Sequence, residues 1–377
     1  MKKKIIFLTQ TSGHHIEYLN HIFNEVGNFT DNQYIFILPE SFHQNKDKFI
    51  WKENKNSTFI FFKDKDVTKL SKNKIIRSYQ YNKLLKEKIG NLSVDDIFLI
   101  ELMKFLPFLP FLFSSKIKIS GIIYHIYLYK WKYLSFIDKG LNVFKFLIFR
   151  NFSCFKYIYV LNDNAAFKYF NKVYKTKKFK YLPDPIIPVK QNNSINQREL
   201  LGIGMKEQVI LHFGALTETK GTLKILDFIN EASKIELQKK VFIFAGVIKD
   251  DIKEEFYRNL QHLKNNTSIF IYDEFLEFSK LSSLLKISDV IFCPYTRVFQ
   301  SSGVLGFAAQ FNIPLIVPKE GFLGKLVKRN RLGIAYERFE KIYILNALDN
   351  AKIFPLNYAY LKNHSIDEFS DIILNDF

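Results

Sequence analysis

The chain has 377 residues, 47% hydrophobic and 24% charged, enough apolar surface for two packed domains and too much for disorder. Its two cysteines, Cys154 and Cys293, stand far apart inside apolar runs, which excludes a disulfide framework and a cysteine-rich metal site. The net charge of +18 is uneven: residues 1–200 hold 33 Lys+Arg against 16 Asp+Glu, and residues 201–377 hold 22 against 21.

In chain order, residues 4–8 read as a buried strand, 9–13 as a tight loop and 14–26 as a helix with Ile16, Leu19, Ile22 and Phe23 on one face. The apolar run at 5–8 is too short for a signal peptide, and the longest apolar tract, 105–113, falls well below the ~20 residues that span a bilayer. A cytoplasmic protein is expected. Strands follow at 34–38, 58–62, 97–100, 116–124 and 157–161, with helices at 75–89, 137–149 and 165–173. Such alternation implies a parallel sheet wrapped by helices. Tyr181-Leu182-Pro183-Asp184-Pro185 ends this first domain, assigned to residues 1–183.

The pattern then restarts. Residues 209–213 read as a strand, 214–221 as a loop, 222–232 as a helix, 241–245 as a strand and 253–263 as a helix. Short strands at 268–272, 290–293 and 315–317, with helices at 279–287 and 304–311, extend a second domain over 184–350. Ser365 and Glu368 form a capping box within a helical segment, 351–377, expected to pack back toward the first domain.

Doubly wound sheets bind ligands where strand ends lead into helix starts. In the second domain one such loop carries Gly214, Lys220 and Gly221, and another carries Pro294, Tyr295, Arg297, Ser301, Ser302, Gly303 and Val304. A lysine, hydroxyls and the free amides of a helix start suit a diphosphate.

Together these loops resemble the donor-binding half of the GT-B glycosyltransferases of the family 4 and family 1 group. The resemblance runs from Arg198 to Gly324. It rests on Phe213-Gly214-Ala215-Leu216, Lys220-Gly221, Ser288-Asp289-Val290, Pro294-Tyr295, Ser301-Ser302-Gly303-Val304 and Asn312-Ile313-Pro314-Leu315. It implies an α/β protein of two Rossmann-like, doubly wound parallel-sheet domains facing across a cleft. A nucleotide-sugar donor would be gripped by Gly214, Lys220, Arg297, Ser301, Ser302, Gly303 and Val304. Two departures stand out. Ala215 replaces the family's usual arginine, with Arg297 a substitute for its charge, and Phe299 and Phe307 occupy the places of a frequent pair of glutamates.

The first loop, with Gly13, His14 and His15, is similar to the GT-B loop whose glycine approaches the donor diphosphate. Either histidine is a candidate general base for an acceptor hydroxyl, with Glu17 one turn on to orient it. His125 ends a hydrophobic strand at the place where related enzymes often contact the donor sugar, and is the third catalytic candidate. The expectation is a transferase acting on a saccharide or lipid-linked saccharide acceptor in surface polysaccharide biosynthesis. No metal and no cofactor beyond the nucleotide sugar is expected. The basic first domain, with aromatic and basic residues at 124–133 and the apolar stretch 105–113, is expected to touch an anionic membrane at its inner face. No nucleic-acid recognition motif accompanies the charge. Two other readings share the residues: a GT-B-like nucleotide-sugar epimerase, and a degenerate non-catalytic subunit.

Overall fold

Alternation along one short strand organises the first half of the molecule. In β1 (Lys2–Phe7), Ile5 and Phe7 point to one side of a sheet and Ile6, followed by Leu8, to the other, and all four are buried. A strand apolar on both faces lies inside a sheet covered on both sides. This is a computed structural model, describing residues 1–11, 14–124, 126–189, 197–263, 267–297, 299, 302–357 and 359–377, with residue 48 by its main chain only.

The chain divides into two units, Met1–Pro185 with His364–Phe377, and Ile186–Asn363. In the first, β2 (Asn32–Pro39), β3 (Ser57–Phe62), β4 (Asp96–Leu99), β5 (Lys118–Ile123), β6 (Phe155–Leu161) and β7 (Phe179–Leu182) join β1 in a parallel sheet. Its order is β3-β2-β1-β4-β5-β6-β7. The Ile5 and Phe7 side is covered by α2 (Lys74–Ile89) and α3 (Phe136–Asn151), which bury Tyr81, Leu84, Leu85, Phe146, Ile148 and Phe149 in one cluster. The other side is covered by α1 (His14–Glu25) together with the last helix of the chain, Ile366–Asp376.

That last helix belongs to the first unit by packing. Phe369, Ile373 and Leu374 are buried beside Ile16, Leu19 and Ile22 of α1. Ser365 accepts a hydrogen bond from the Glu368 amide, which completes its cap as the spacing predicts. The buried Lys4 ammonium donates to the Phe377 main-chain oxygen, and burial lowers its pKa. The chain stays in the second unit through Asn363 and returns at His364, not at residue 351. The returning stretch brings four acids and no base. The first unit therefore holds 31 Lys+Arg against 19 Asp+Glu and the second 24 against 18, a milder contrast than the linear sequence suggests.

The second unit repeats the plan. Strands β8 (Gln208–Phe213), β9 (Lys240–Ala245), β10 (Ser268–Tyr272), β11 (Val290–Phe292), β12 (Leu315–Pro318) and β13 (Gly333–Tyr336) form a parallel sheet in the order β10-β9-β8-β11-β12-β13. Ile210, Phe242, Phe244 and Phe292 pack against Ile225, Leu226 and Ile229 of a helix, Thr222–Glu231. Arg198 ties strand starts together, donating to Asp289 Oδ2 at 2.8 Å while the same oxygen accepts the Val209 amide at 2.7 Å. Strand β13 escapes the sequence reading because it is short and opens with glycine, both poor strand signals.

The aromatic stretches expected at a membrane divide between core and surface, with Phe111, Trp131 and Tyr133 exposed. Phe105, Leu106 and Leu109 are core residues, Tyr127 is buried with its hydroxyl 2.8 Å from that of Tyr174, and Tyr129 donates to Asp163 at 2.5 Å. Among the described residues, no helix is long and apolar enough to cross a membrane.

Replacing Phe369 with Ala should cost about 3–5 kcal/mol, because a fully buried ring leaves a cavity between α1 and the last helix. Urea unfolding should show a lower midpoint with an unchanged slope.

Candidate functional site

In both sheets the strand order reverses beside one strand, β1 in the first and β8 in the second, so loops on either side of the reversal diverge and leave room at the carboxyl edge. In the second unit the loops after β8 and β11 meet there. Gly221 has a left-handed backbone (φ +72°), and a Cβ at this position would drive into the Pro294 carbonyl. The amides of Thr296 and Arg297 both donate to the Thr219 carbonyl, at 3.1 and 3.4 Å. Thr217 caps the short turn Glu218–Lys220 by accepting the Lys220 amide at 3.2 Å.

This stitching puts the half-buried Lys220 ammonium 3.9 Å from the centre of the Tyr295 ring, while the Tyr295 hydroxyl stands 3.3 Å from Ser302 Oγ. Lys220 and Ser302, expected to share a ligand, thus share one tyrosine. Burial lowers the Lys220 pKa, only partly opposed by the neighbouring Cys293. Among the described residues, no carboxylate lies within ion-pair distance of its ammonium. Gly303 and Val304 open α4 of the second unit's edge, the helix Val304–Phe311, and among the described residues their amides have no acceptor. Gly214 has φ +99° and faces open space, while Arg297 is held by its main chain and exposes its side chain. Phe307 packs edge-on to Phe213 at 5.4 Å, an apolar contact where the resemblance would place a carboxylate. Ser301, Gly13 and His125 lie outside the described residues.

His212 braces the loops from beneath. Its Nδ1 donates to the Phe292 carbonyl at 2.9 Å, and its Nε2 accepts from the Thr222 hydroxyl at 3.0 Å, joining β8, β11 and the following helix. Burial pushes its pKa down to about 4, the hydrogen bond to Phe292 opposing, so it is neutral in the fold.

In the first unit the two candidate histidines part company. His14 is exposed and pairs with Glu17 at 3.2 Å; His21 also faces Glu17, at 3.8 Å. Burial works against the Glu17 charge, but hydrogen bonds from these histidines keep its pKa below the ordinary value. His15 turns inward to Glu101, with Nε2 3.6 Å from Oε1. Thr9 donates to Glu101, and Lys104 contacts both Glu101 (2.6 Å) and Thr9 (2.9 Å). His15 Nδ1 and the Tyr124 hydroxyl are buried with no hydrogen-bond partner among the described residues, their rings edge-on at 5.1 Å. Burial lowers the His15 pKa, Glu101 raising it in part, so the imidazole is unprotonated at neutral pH. Tyr18, stacked on Tyr124, donates to Asp184 at 2.5 Å.

The sequence reading missed Glu101 and gave no role to Tyr295 or Tyr124. Glu101 carried a signal, a buried charge directly after a continuous apolar strand. Its partner, however, is a residue distant in the chain.

Two doubly wound parallel sheets, each with its loops gathered at a reversal of strand order, define the GT-B fold. Comparison with solved structures agrees over the whole chain. Anabaena HepE, solved with UDP and glucose, is 13% identical with a TM-score of 0.65, covering 100% of this chain and 99% of that one. WaaG, a glycosyltransferase involved in lipopolysaccharide biosynthesis, is 16% identical with a TM-score of 0.63, covering 99% and 98%. A glycosyltransferase from Rickettsia africae is 15% identical with a TM-score of 0.65, covering 99% and 97%. No protein-family model matches the chain, and no curated protein matches it by sequence.

Because the His212 pKa falls from 6.5 to about 4 on folding, only the unfolded chain takes up this proton between those values. Its contribution is full above about pH 6.5 and is lost as pH falls toward 4, by up to about 3 kcal/mol. His212→Gln should flatten that part of the stability profile in urea unfolding at about pH 7 and about pH 4.5.

Proposed function

We propose that the chain is a glycosyltransferase that moves a sugar from a nucleotide-diphosphate sugar to a saccharide or lipid-linked saccharide acceptor in surface polysaccharide biosynthesis. The observation that carries this reading is the Lys220 ammonium. It is partly desolvated, seated on Tyr295 and without a carboxylate among the described residues, beside Ser302 and a helix start at which the Gly303 and Val304 amides have no acceptor among the described residues. A diphosphate supplies the missing negative charge, and a helix start with a lysine is suited to bind it. The fold shared with HepE, solved with UDP and with UDP-glucose, supports a nucleotide-sugar donor. The likeness to WaaG, involved in lipopolysaccharide biosynthesis, supports an acceptor of the surface-saccharide kind.

Each unit is assigned one group of the reaction. His15 is the general base, with Nε2–H directed at Glu101 and the Nδ1 lone pair left for the acceptor hydroxyl. As the acceptor oxygen bonds to the anomeric carbon, its proton passes to His15. The bond from that carbon to the diphosphate breaks, and its electron pair stays on the departing phosphate oxygen. Lys220 and the amides of Gly303 and Val304 hold the charge that develops there. A single displacement of this kind inverts the anomeric centre. Gly13, Gly214, Arg297 and Ser301 are assigned to the donor and His125 to its sugar, with His14 the alternative base. No cofactor beyond the nucleotide sugar enters, because lysine and amides neutralise the leaving group.

Titration calorimetry with UDP, GDP and ADP should find one that binds, and Lys220→Ala should weaken it at least about tenfold. Unchanged affinity would sink the donor site. With donor and acceptor in hand, His15→Ala should lower kcat by about 10²–10³. The wild-type rate should rise with pH through the His15 pKa to a plateau. Glu101→Gln, by removing a charge that raises this pKa, should shift the acid limb to lower pH.

A further inference from the structure

Helices α2 and α3 cover the same side of the first sheet with their buried faces, yet both also carry large apolar side chains outward. On α3, Phe136 is 91% exposed, Ile137 80% and Phe144 50%; on α2, Ile75, Ile76 and Tyr79 are each about half exposed. The first turn of α3 thus holds two large, almost fully exposed apolar side chains next to Asp138 and Lys139, a pair that marks a contact surface. Just before α3, Trp131 and Tyr133 are exposed, with Lys139 5.4 Å from the Trp131 ring and Lys132 5.2 Å from that of Tyr133.

Charge selects what covers this face. Residues 74–79 and 130–145 together hold six bases and a single acid, Asp138, whose carboxylate accepts from the Ser135 hydroxyl at 2.8 Å at the helix cap. Lys145 and Lys74 lie near enough that burial first and then the Lys74 charge lower the Lys145 pKa. A second copy of the chain would set these bases against themselves. An acidic protein would match the charge but not the scattered, deeply exposed aliphatic and aromatic tips. An anionic bilayer matches both, taking the apolar side chains below its headgroups while tyrosine, tryptophan and lysine heads remain at that level.

We infer that the first unit docks on an anionic membrane through the outward side of α2 and α3, with Phe136 and Ile137 as the inserted residues. This deepens the reading of a lipid-linked acceptor and rests on it for its purpose. It also moves the contact away from Phe105, Leu106, Leu109, Ile126 and Tyr127, which are packed in the core.

Co-sedimentation of the full chain tests it, using phosphatidylcholine vesicles with and without about 30% phosphatidylglycerol. The wild type should bind anionic vesicles at least about tenfold better than neutral ones and lose most of this in 0.5 M salt (about half the Debye length of 0.1 M). Phe136→Ser with Ile137→Ser should lower vesicle binding at least about tenfold while leaving the melting temperature and UDP-type nucleotide affinity unchanged, since both side chains are exposed and far in sequence from Lys220. Equal binding by the double variant, or no vesicle binding by the wild type, overturns the inference. So does a dimer in solution that the same substitutions dissociate. A protein that binds vesicles but no nucleotide diphosphate leaves this surface standing and removes the donor site instead.

Discussion

Each unit depends on one constraint: a central parallel strand must be apolar on both faces, and the sheet reverses its order beside it. The first condition buries β1 and β8 between layers of helices, so their carboxyl ends are held to the spacing of a packed core. The second sends the chain off to opposite sides after neighbouring strands, β1 and β4 in one unit, β8 and β11 in the other. His15, Glu101, Lys220 and Tyr295 sit on the loops and helix start that follow those four strands. A shift of one strand by one residue would exchange the faces and scatter the loops together with the cores.

The two loop clusters solve opposite electrostatic problems. Around Glu101 the charges are mutually satisfied, because Lys104, Thr9 and His15 converge on one buried carboxylate. What remains without a partner among the described residues there is neutral, an imidazole nitrogen and a phenol. Around Lys220 the charge itself is left over. A cation taken partly out of water without a carboxylate is costly, and the Tyr295 ring returns only a part of that cost.

Support beneath the second cluster comes from groups that never meet a ligand. His212 is kept neutral by burial and spans β8, β11 and a helix, while Gly221 and Gly246 let main chain approach main chain where a methyl group would collide. The last helix plays the same part for the first unit, closing the face of the sheet that α1 alone leaves uncovered.

Much of this was readable from residue order alone. Period-two apolar runs and 3.6-residue stripes are local, and they marked most strands and helices, the tandem plan, the capping box at Ser365 and the glycine and serine loops at strand ends. What was not local was invisible. The inward histidine of the adjacent pair was selected by Glu101 across the sheet, the seat of Lys220 by a tyrosine on another loop, and the outer aromatic face by how α2 and α3 pack. Sequence spacing reports which side chains share a strand or a helix face. Which of them meet, and which stay in water, depends on contacts between segments far apart in the chain, and those exist only after the sheets have formed.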